Sequence, residues 1–237
     1  VHLVQTVSYF INFLIENKQN QNDWAVSRFG RNDTVFYKNL GKKMQKDLNI
    51  VVLGKAKAGK TSMIAGHCGS QALRESGFMS SKYSLCKTIE HTSVDVSIFD
   101  VCLEAESRFF SASFGNAGVF VVCMSIDESS AYSHLLEEWI PMLRDYYPGI
   151  PVLLVGCKSD LRVRAECVSK ELLGEDIASE LVGVYTNETD STKTTTILDY
   201  LECSSYTEEG IDHVFEKAFT VGFAHNLSKE EINHIQT

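Results

Sequence analysis

No stretch of the 237 residues reaches the roughly 18 consecutive apolar positions that a membrane-spanning helix requires. Positive charge is not in excess either: the formal net charge is −9, which argues against a general binder of nucleic acid or anionic membrane. No C-x-x-C pair occurs among the seven cysteines, Cys68, Cys86, Cys102, Cys123, Cys157, Cys167 and Cys203. That odd, unpatterned set reads as free thiols in a reducing compartment. The start lacks the charged segment and cleavage site of a signal peptide, and the end, Asn233-His-Ile-Gln-Thr237, carries no cysteine for prenylation. The expectation is a cytoplasmic protein without a direct lipid anchor, brought to membrane or cytoskeleton only by its partners.

What is present suffices to bury a core: 44% of residues are hydrophobic, and the length suits one domain with appendages. The chain is organised around Gly54-Lys-Ala-Lys-Ala-Gly59-Lys60-Thr61, between the apolar run Leu48–Leu53 and a helix-compatible stretch beginning at Ser62. This is strand, glycine-bounded loop and helix in the pattern G-x-x-x-x-G-K-[ST]. Backbone N–H groups of such a loop turn inward around a β-phosphate, glycines permit an approach that a Cβ would block, and the helix presents its positive end. Gly54, Ala56, Lys57, Ala58, Gly59 and Ser62 would form the cradle, Lys60 would neutralise β/γ-phosphate charge, and Thr61 would ligate Mg²⁺. The structural alternative is a glycine-rich turn kept for its shape. Lys57 either adds charge beside the phosphates or points to solvent.

Residues 1–46 precede the first strand. Within them Val4, Val7, Ile11 and Leu14 recur at helical spacing, which predicts an apolar-faced helix packed on its own domain or docking a partner or second copy. Lys38, Lys42, Lys43 and Lys46 read as a solvated linker. From Leu48 apolar strands alternate with helices, the pattern of a mostly parallel sheet covered on both faces. Strands are predicted at Leu48–Leu53, Ser84–Ile89, Thr92–Phe99, Val119–Ser125, Val152–Gly156 and Ile197–Cys203, the second and third turning at Glu90-His91. Helices are predicted at Thr61–Leu73, Ser129–Tyr146 with Pro141 as an irregularity, Ser169–Leu181 and Ile211–Phe223. The polar tract Thr186–Thr196 reads as a solvated loop.

Three further stretches, in order, make the chain resemble a Ras-superfamily small GTPase, closest to the Rho/Rac branch. Ser93-Val-Asp-Val-Ser-Ile-Phe-Asp100 resembles the strand whose last Asp holds the Mg²⁺ shell; Val155-Gly-Cys157-Lys158-Ser-Asp160-Leu161-Arg162 resembles the guanine-reading motif; Tyr200-Leu-Glu-Cys-Ser204-Ser205-Tyr206 resembles the loop beside the base. The resemblance covers about residues 48–223 and implies an α/β P-loop NTPase fold with a mostly parallel six-stranded sheet. It implies a guanine-nucleotide domain at 47–223, with an insertion at 186–196 and a tail at 224–237. GTP or GDP with Mg²⁺ would be bound, with effector and regulatory proteins as partners. Asp160 offers two acceptors to the adjacent N–H donors on guanine, and the stem of Lys158 can cover the base. Cys157, where Asn or Thr is usual, is a poorer tether because a thiol bonds weakly.

The sequence departs from the family where turnover is set. In the family a glutamine orients the attacking water; here the string is Asp100-Val-Cys-Leu103-Glu104. Glu104 is the catalytic candidate beside Lys60, yet a carboxylate cannot donate to the transferring oxygens and brings negative charge toward phosphate. Ala56 places a methyl group where water or an arginine finger would approach. Thr88 is better placed inside a strand than in a switch, and counting back from Asp100 puts the switch near Phe78-Met-Ser80-Ser81, where no threonine stands. The additional Rho helix has no room after Arg162. Two functions follow: a GTP-binding signalling protein whose hydrolysis is slow or absent, or a pseudo-GTPase adaptor acting independently of nucleotide.

Overall fold

The computed structural model describes residues 46–69, 72–76, 80–101, 112–128, 130–164, 181–187 and 189–236. The predicted N-terminal helix, Lys38, Lys42, Lys43, Leu103, Glu104 and all but the last residue of the Ser169–Leu181 helix lie outside them. One sheet organises the rest. Its strands are β1 (Lys46–Leu53), β2 (Leu73–Ser76), β3 (Ser80–Ile89), β4 (Thr92–Val101), β5 (Ala117–Ser125), β6 (Pro151–Cys157), β7 (Gly183–Thr186) and β8 (Thr194–Cys203). They lie in the order β2-β3-β4-β1-β5-β6-β8-β7. The pairs β4/β1, β1/β5, β5/β6 and β6/β8 are parallel, and the flanking pairs are antiparallel.

Helices α1 (Lys60–Cys68) and α4 (Ile211–Gln236) pack on one face. Helix α2, which runs from Ala131–His134 through a π segment Leu135–Trp139 to Ile140–Tyr146, packs on the other. A single turn, α3 (Leu161–Arg164), follows β6. The strand period of two divides each central strand between the layers: Leu48, Ile50 and Val52 face α1 and α4, while Val51 and Leu53 face α2. Burial on both faces explains why these strands read as continuous apolar runs.

The sheet has eight strands rather than six. The two additions, β2 and β7, are four-residue edge strands of mixed or polar composition, so neither carries an apolar run. The predicted helix through Leu73 ends at Cys68, because Gly69 takes φ 50° and frees the chain to form β2. The polar tract is only partly loop: Thr186 closes β7 and Thr194–Thr196 open β8, which turns the insertion into a hairpin. The last helix continues past Phe223 to Gln236, held at the start of β1 by Lys46 Nζ donating to Glu230 Oε2 at 3.1 Å and by Asn226 Nδ2 donating to the Asp47 carbonyl at 3.2 Å. Lys46 is therefore part of a strand rather than a linker. Glu90 and His91 form the expected turn, with φ 46° and 67° as a two-residue type I′ hairpin demands. Thr88 sits within β3. The π segment precedes Pro141, whose missing N–H and bulky ring displace the α-helical ladder one turn back.

His225 on α4 is buried enough that its pKa falls to about 4, with the charge of Lys229 adding to the effect. The unfolded value is near 6.5, so between the two the unfolded chain binds the extra proton and stability falls as pH drops. The expected loss from this residue is about 2 kcal/mol at pH 5 relative to pH 7. Urea titrations at the two pH values check this, with His225→Leu losing that share of the pH dependence.

Candidate functional site

The stretches nominated for phosphate, magnesium and base all lie at or follow the carboxyl end of a strand in the parallel part of the sheet. β1 lies between β4 and β5, so successive connections leave it in opposite directions and open a crevice beyond its end. The phosphate-loop candidate follows β1, Asp100 stands near the end of β4, and the two base-loop candidates follow β6 and β8.

The loop's conformation is set by its glycines. Gly54 has φ 133°, and a Cβ there would stand 2.1 Å from the Cys123 carbonyl oxygen. Gly59 has φ 110° and caps α1, so the amides of the first turn remain directed into the loop. Lys57 also takes a left-handed φ, 67°. Lys60 is 7% exposed and donates to the carbonyls of Gly54 at 2.7 Å and Lys55 at 2.8 Å. The loop's own oxygens thus hold the ammonium inside the curve.

Thr61 Oγ1 donates to Asp100 Oδ2 at 2.6 Å, and Asp100 is buried. This joins a hydroxyl and a carboxylate, hard oxygen donors suited to Mg²⁺. Among the described residues no group of three His, Cys, Asp or Glu side chains is placed to hold a metal.

At the other end, Ser204 Oγ donates to Asp160 Oδ1 at 2.5 Å and accepts from the amides of Tyr206 at 3.1 Å and Thr207 at 3.2 Å. One buried hydroxyl therefore orients the carboxylate and shapes the neighbouring loop. Behind them Arg162 forks onto Glu202, Nε donating to Oε2 at 2.8 Å, and Tyr200 donates to Glu202 Oε1 at 2.6 Å. Partial burial works to raise the Glu202 pKa, yet the Arg162 and Tyr200 bonds outweigh it and hold the carboxyl below its ordinary value. Lys158, at φ 67°, reaches Asp127 Oδ1 at 3.3 Å.

Between these ends lies a cavity of about 660 Å³. Lys57, Gly59, Lys60, Thr61 and Ser62 line its phosphate-loop side; Cys157, Lys158, Asp160, Leu161, Ser205 and Tyr206 line the other. Gly54 and Ala58 act beneath the loop, both buried, while Ala56 is exposed on it. Ser204 acts behind the wall through Asp160. Glu104 is outside the described residues.

Cys157 and Cys203, the last residues of β6 and β8, are buried beside Cys123 within β5. The Cys123 thiol first, with burial adding, pushes the Cys157 thiol well up, against a smaller opposing effect of Cys203. It stays protonated, and its contacts are to thiols rather than to an amide tether.

The sequence reading missed Tyr206 as a wall residue, although its ring is 78% exposed at the cavity. It also missed Asp127 and Glu128. They lie in Cys123-Met-Ser-Ile-Asp127-Glu128-Ser, a stretch that reads like the Rho-type strand, but nothing in it gives them a role, because their partners are 31 and 73 residues away in sequence. Ser81 lies at the position nominated for the switch, but in β3 opposite Asp100, buried, with Oγ accepting from Arg74 at 3.4 Å.

A family model described as the Ras family matches residues 49–221. The Rho-related GTP-binding protein RhoF of Mus musculus is 28% identical over 183 residues, covering 76% of this chain and 84% of that protein. Its Homo sapiens counterpart is 27% identical over 183 residues, covering 76% and 84%. The matched region runs from the first strand into the last helix, across all the loops that line the cavity, and the chain belongs to the Ras family as a Rho-like small GTPase.

Proposed function

We propose that this protein binds GTP and GDP with Mg²⁺, hydrolyses GTP slowly or not at all, and recruits partner proteins in its nucleotide-bound form. The observation that carries the reading is the continuous cavity from Lys60 and Thr61 to Asp160 and Ser205, which offers cation and amides at one end and an oriented carboxylate at the other. Lys60 would leave the loop carbonyls for phosphate oxygens, and Thr61 and Asp100 would hold the magnesium ion. Bound there, the ion would neutralise phosphate charge. Asp160, kept in place by Ser204, would accept from the guanine edge, and the stem of Lys158 would cover the base.

Slow turnover is supported by the methyl group of Ala56 on the loop and by the Leu103-Glu104 sequence in place of glycine and glutamine. A finger residue supplied by a partner is worth roughly 10³ to 10⁵ in rate, so crowding its approach outweighs a modest change in affinity. The adaptor reading has one specific observation in its favour. Of the two hydroxyls at the switch position, Ser80 and Ser81, both in β3, that of Ser81 is held in the sheet by Arg74 rather than presented to a third phosphate.

Titration with fluorescent GDP and GTP in the presence of Mg²⁺, followed by single-turnover hydrolysis, tests both. Saturable binding with slow or no phosphate release supports the proposal. No saturable binding rejects it in favour of the adaptor, and brisk turnover rejects its kinetic clause.

A further inference from the structure

The loop between β5 and α2 carries two adjacent carboxylates, one reaching the phosphate loop at Lys55 and the other the cavity wall at Lys158. Glu128 accepts from Nζ of Lys55, which follows Gly54 in the phosphate loop; Ser130 Oγ donates to the same carboxyl oxygen at 3.0 Å, and His134 Nδ1 stands 3.8 Å from it. Asp127 accepts from Lys158 Nζ at 3.3 Å, on the base side, and from the Ser125 hydroxyl. The backbone that carries them is itself hydrogen-bonded. The Ile126 N–H donates to the Cys157 carbonyl at 3.1 Å, the Glu128 N–H to the Ser125 carbonyl at 3.2 Å, and the Ala131 N–H to the Glu128 carbonyl at 3.0 Å.

Both carboxyls are held below their ordinary pKa, Asp127 by the Ser125 hydroxyl first and then Lys158, and Glu128 by Lys55 and Ser130 against the upward pull of burial. They are ionised at neutral pH.

We propose that Asp127 and Glu128 form a brace that sets how long a nucleotide stays bound, by tying the phosphate loop and the base loop to one rigid segment. The proposal rests on the nucleotide-binding reading above. For a ligand held at both ends to leave, the two loops must move apart. Ties present in the closed arrangement and broken in the open one therefore slow dissociation more than association. Each pair alone is partly exposed, with the Lys55 side chain 50% and Glu128 26% accessible, so each is screened and contributes modestly. Acting through one loop, the two resist the same opening. Asp127 and Glu128 are positioning residues, since neither lines the cavity: one holds Lys158, which does, and the other holds Lys55 of the phosphate loop.

The full chain is loaded with N-methylanthraniloyl-GDP and Mg²⁺, and release is followed after adding excess unlabelled GDP. Glu128→Gln and Asp127→Asn are each expected to speed release about threefold to fivefold, and together about tenfold or more. Added salt accelerates the native protein but leaves the doubly neutralised variant unchanged. Native release rates in both single variants, or equal acceleration by salt in the native and the doubly neutralised protein, would overturn the brace. Native protein that takes up no labelled GDP would overturn the nucleotide reading and the brace with it.

Discussion

Lys60→Ala is expected to weaken guanine-nucleotide binding at least about a hundredfold, while leaving a chain that still folds. The ammonium is 7% exposed and is held at 2.7 and 2.8 Å from two loop carbonyls, so it is already in place at the phosphate end. Charge-assisted hydrogen bonds contribute about 1.5 to 3 kcal/mol each, so losing two to a polyphosphate costs about 3 to 6 kcal/mol. In the free protein the substitution removes the bonds to the buried Gly54 carbonyl and the partly buried Lys55 carbonyl but no hydrogen bond of the sheet or the helices. Circular dichroism is therefore expected to be unchanged when calorimetric titration shows the loss. Unaltered GDP affinity in Lys60→Ala would separate the cavity from phosphate recognition.

Asp160→Asn is expected to change which base is bound rather than simply weaken binding. A carboxylate presents two acceptors, matched to the two adjacent N–H donors of guanine; an amide presents one acceptor and one donor, which matches the N–H and carbonyl of xanthine. The Ser204 hydroxyl that donates to Asp160 Oδ1 at 2.5 Å can donate equally to an amide oxygen, so the side chain stays where it is. Each unmatched buried polar group costs about 1 to 3 kcal/mol, so GDP affinity should fall about a hundredfold and XDP affinity rise by a similar factor. Competition of GDP and XDP for one fluorescent nucleotide measures both. An unchanged preference would mean that Asp160 does not read the base.

The legible elements are those whose physics is local. Val51, Val52 and Val119–Cys123 are apolar because parallel strands are buried on both faces, and any sequence scan registers such a run. Glu90-His91 was readable as a turn because two strand-like stretches flank it. Gly54 and Gly59 were readable because only a residue without a Cβ fits their φ and the approach of Cys123. β2 and β7 were not readable: strands of four residues with mixed polarity owe their existence to unpaired partners on β3 and β8, and an edge is a property of the sheet. The extension of α4 to Gln236 depends in the same way on the docking of Glu230 and Asn226 against β1.

By itself the sequence determined the kind of protein: the spacing from Gly54 to Thr61, the Asp at 100, the Lys and Asp at 158 and 160, and the serines at 204 and 205 are chemical necessities carried by single positions. Tertiary structure alone decided how those positions are held: Thr61 against Asp100, Ser204 against Asp160, Cys157 among thiols, Lys55 of the phosphate loop against Glu128 and Lys158 against Asp127. The reason is separation along the chain. Glycine strain and apolar periodicity act over a few residues and leave a pattern, whereas a carboxylate and its lysine can lie 73 residues apart and meet only because parallel strands bring every one of these loops to the same edge of the sheet.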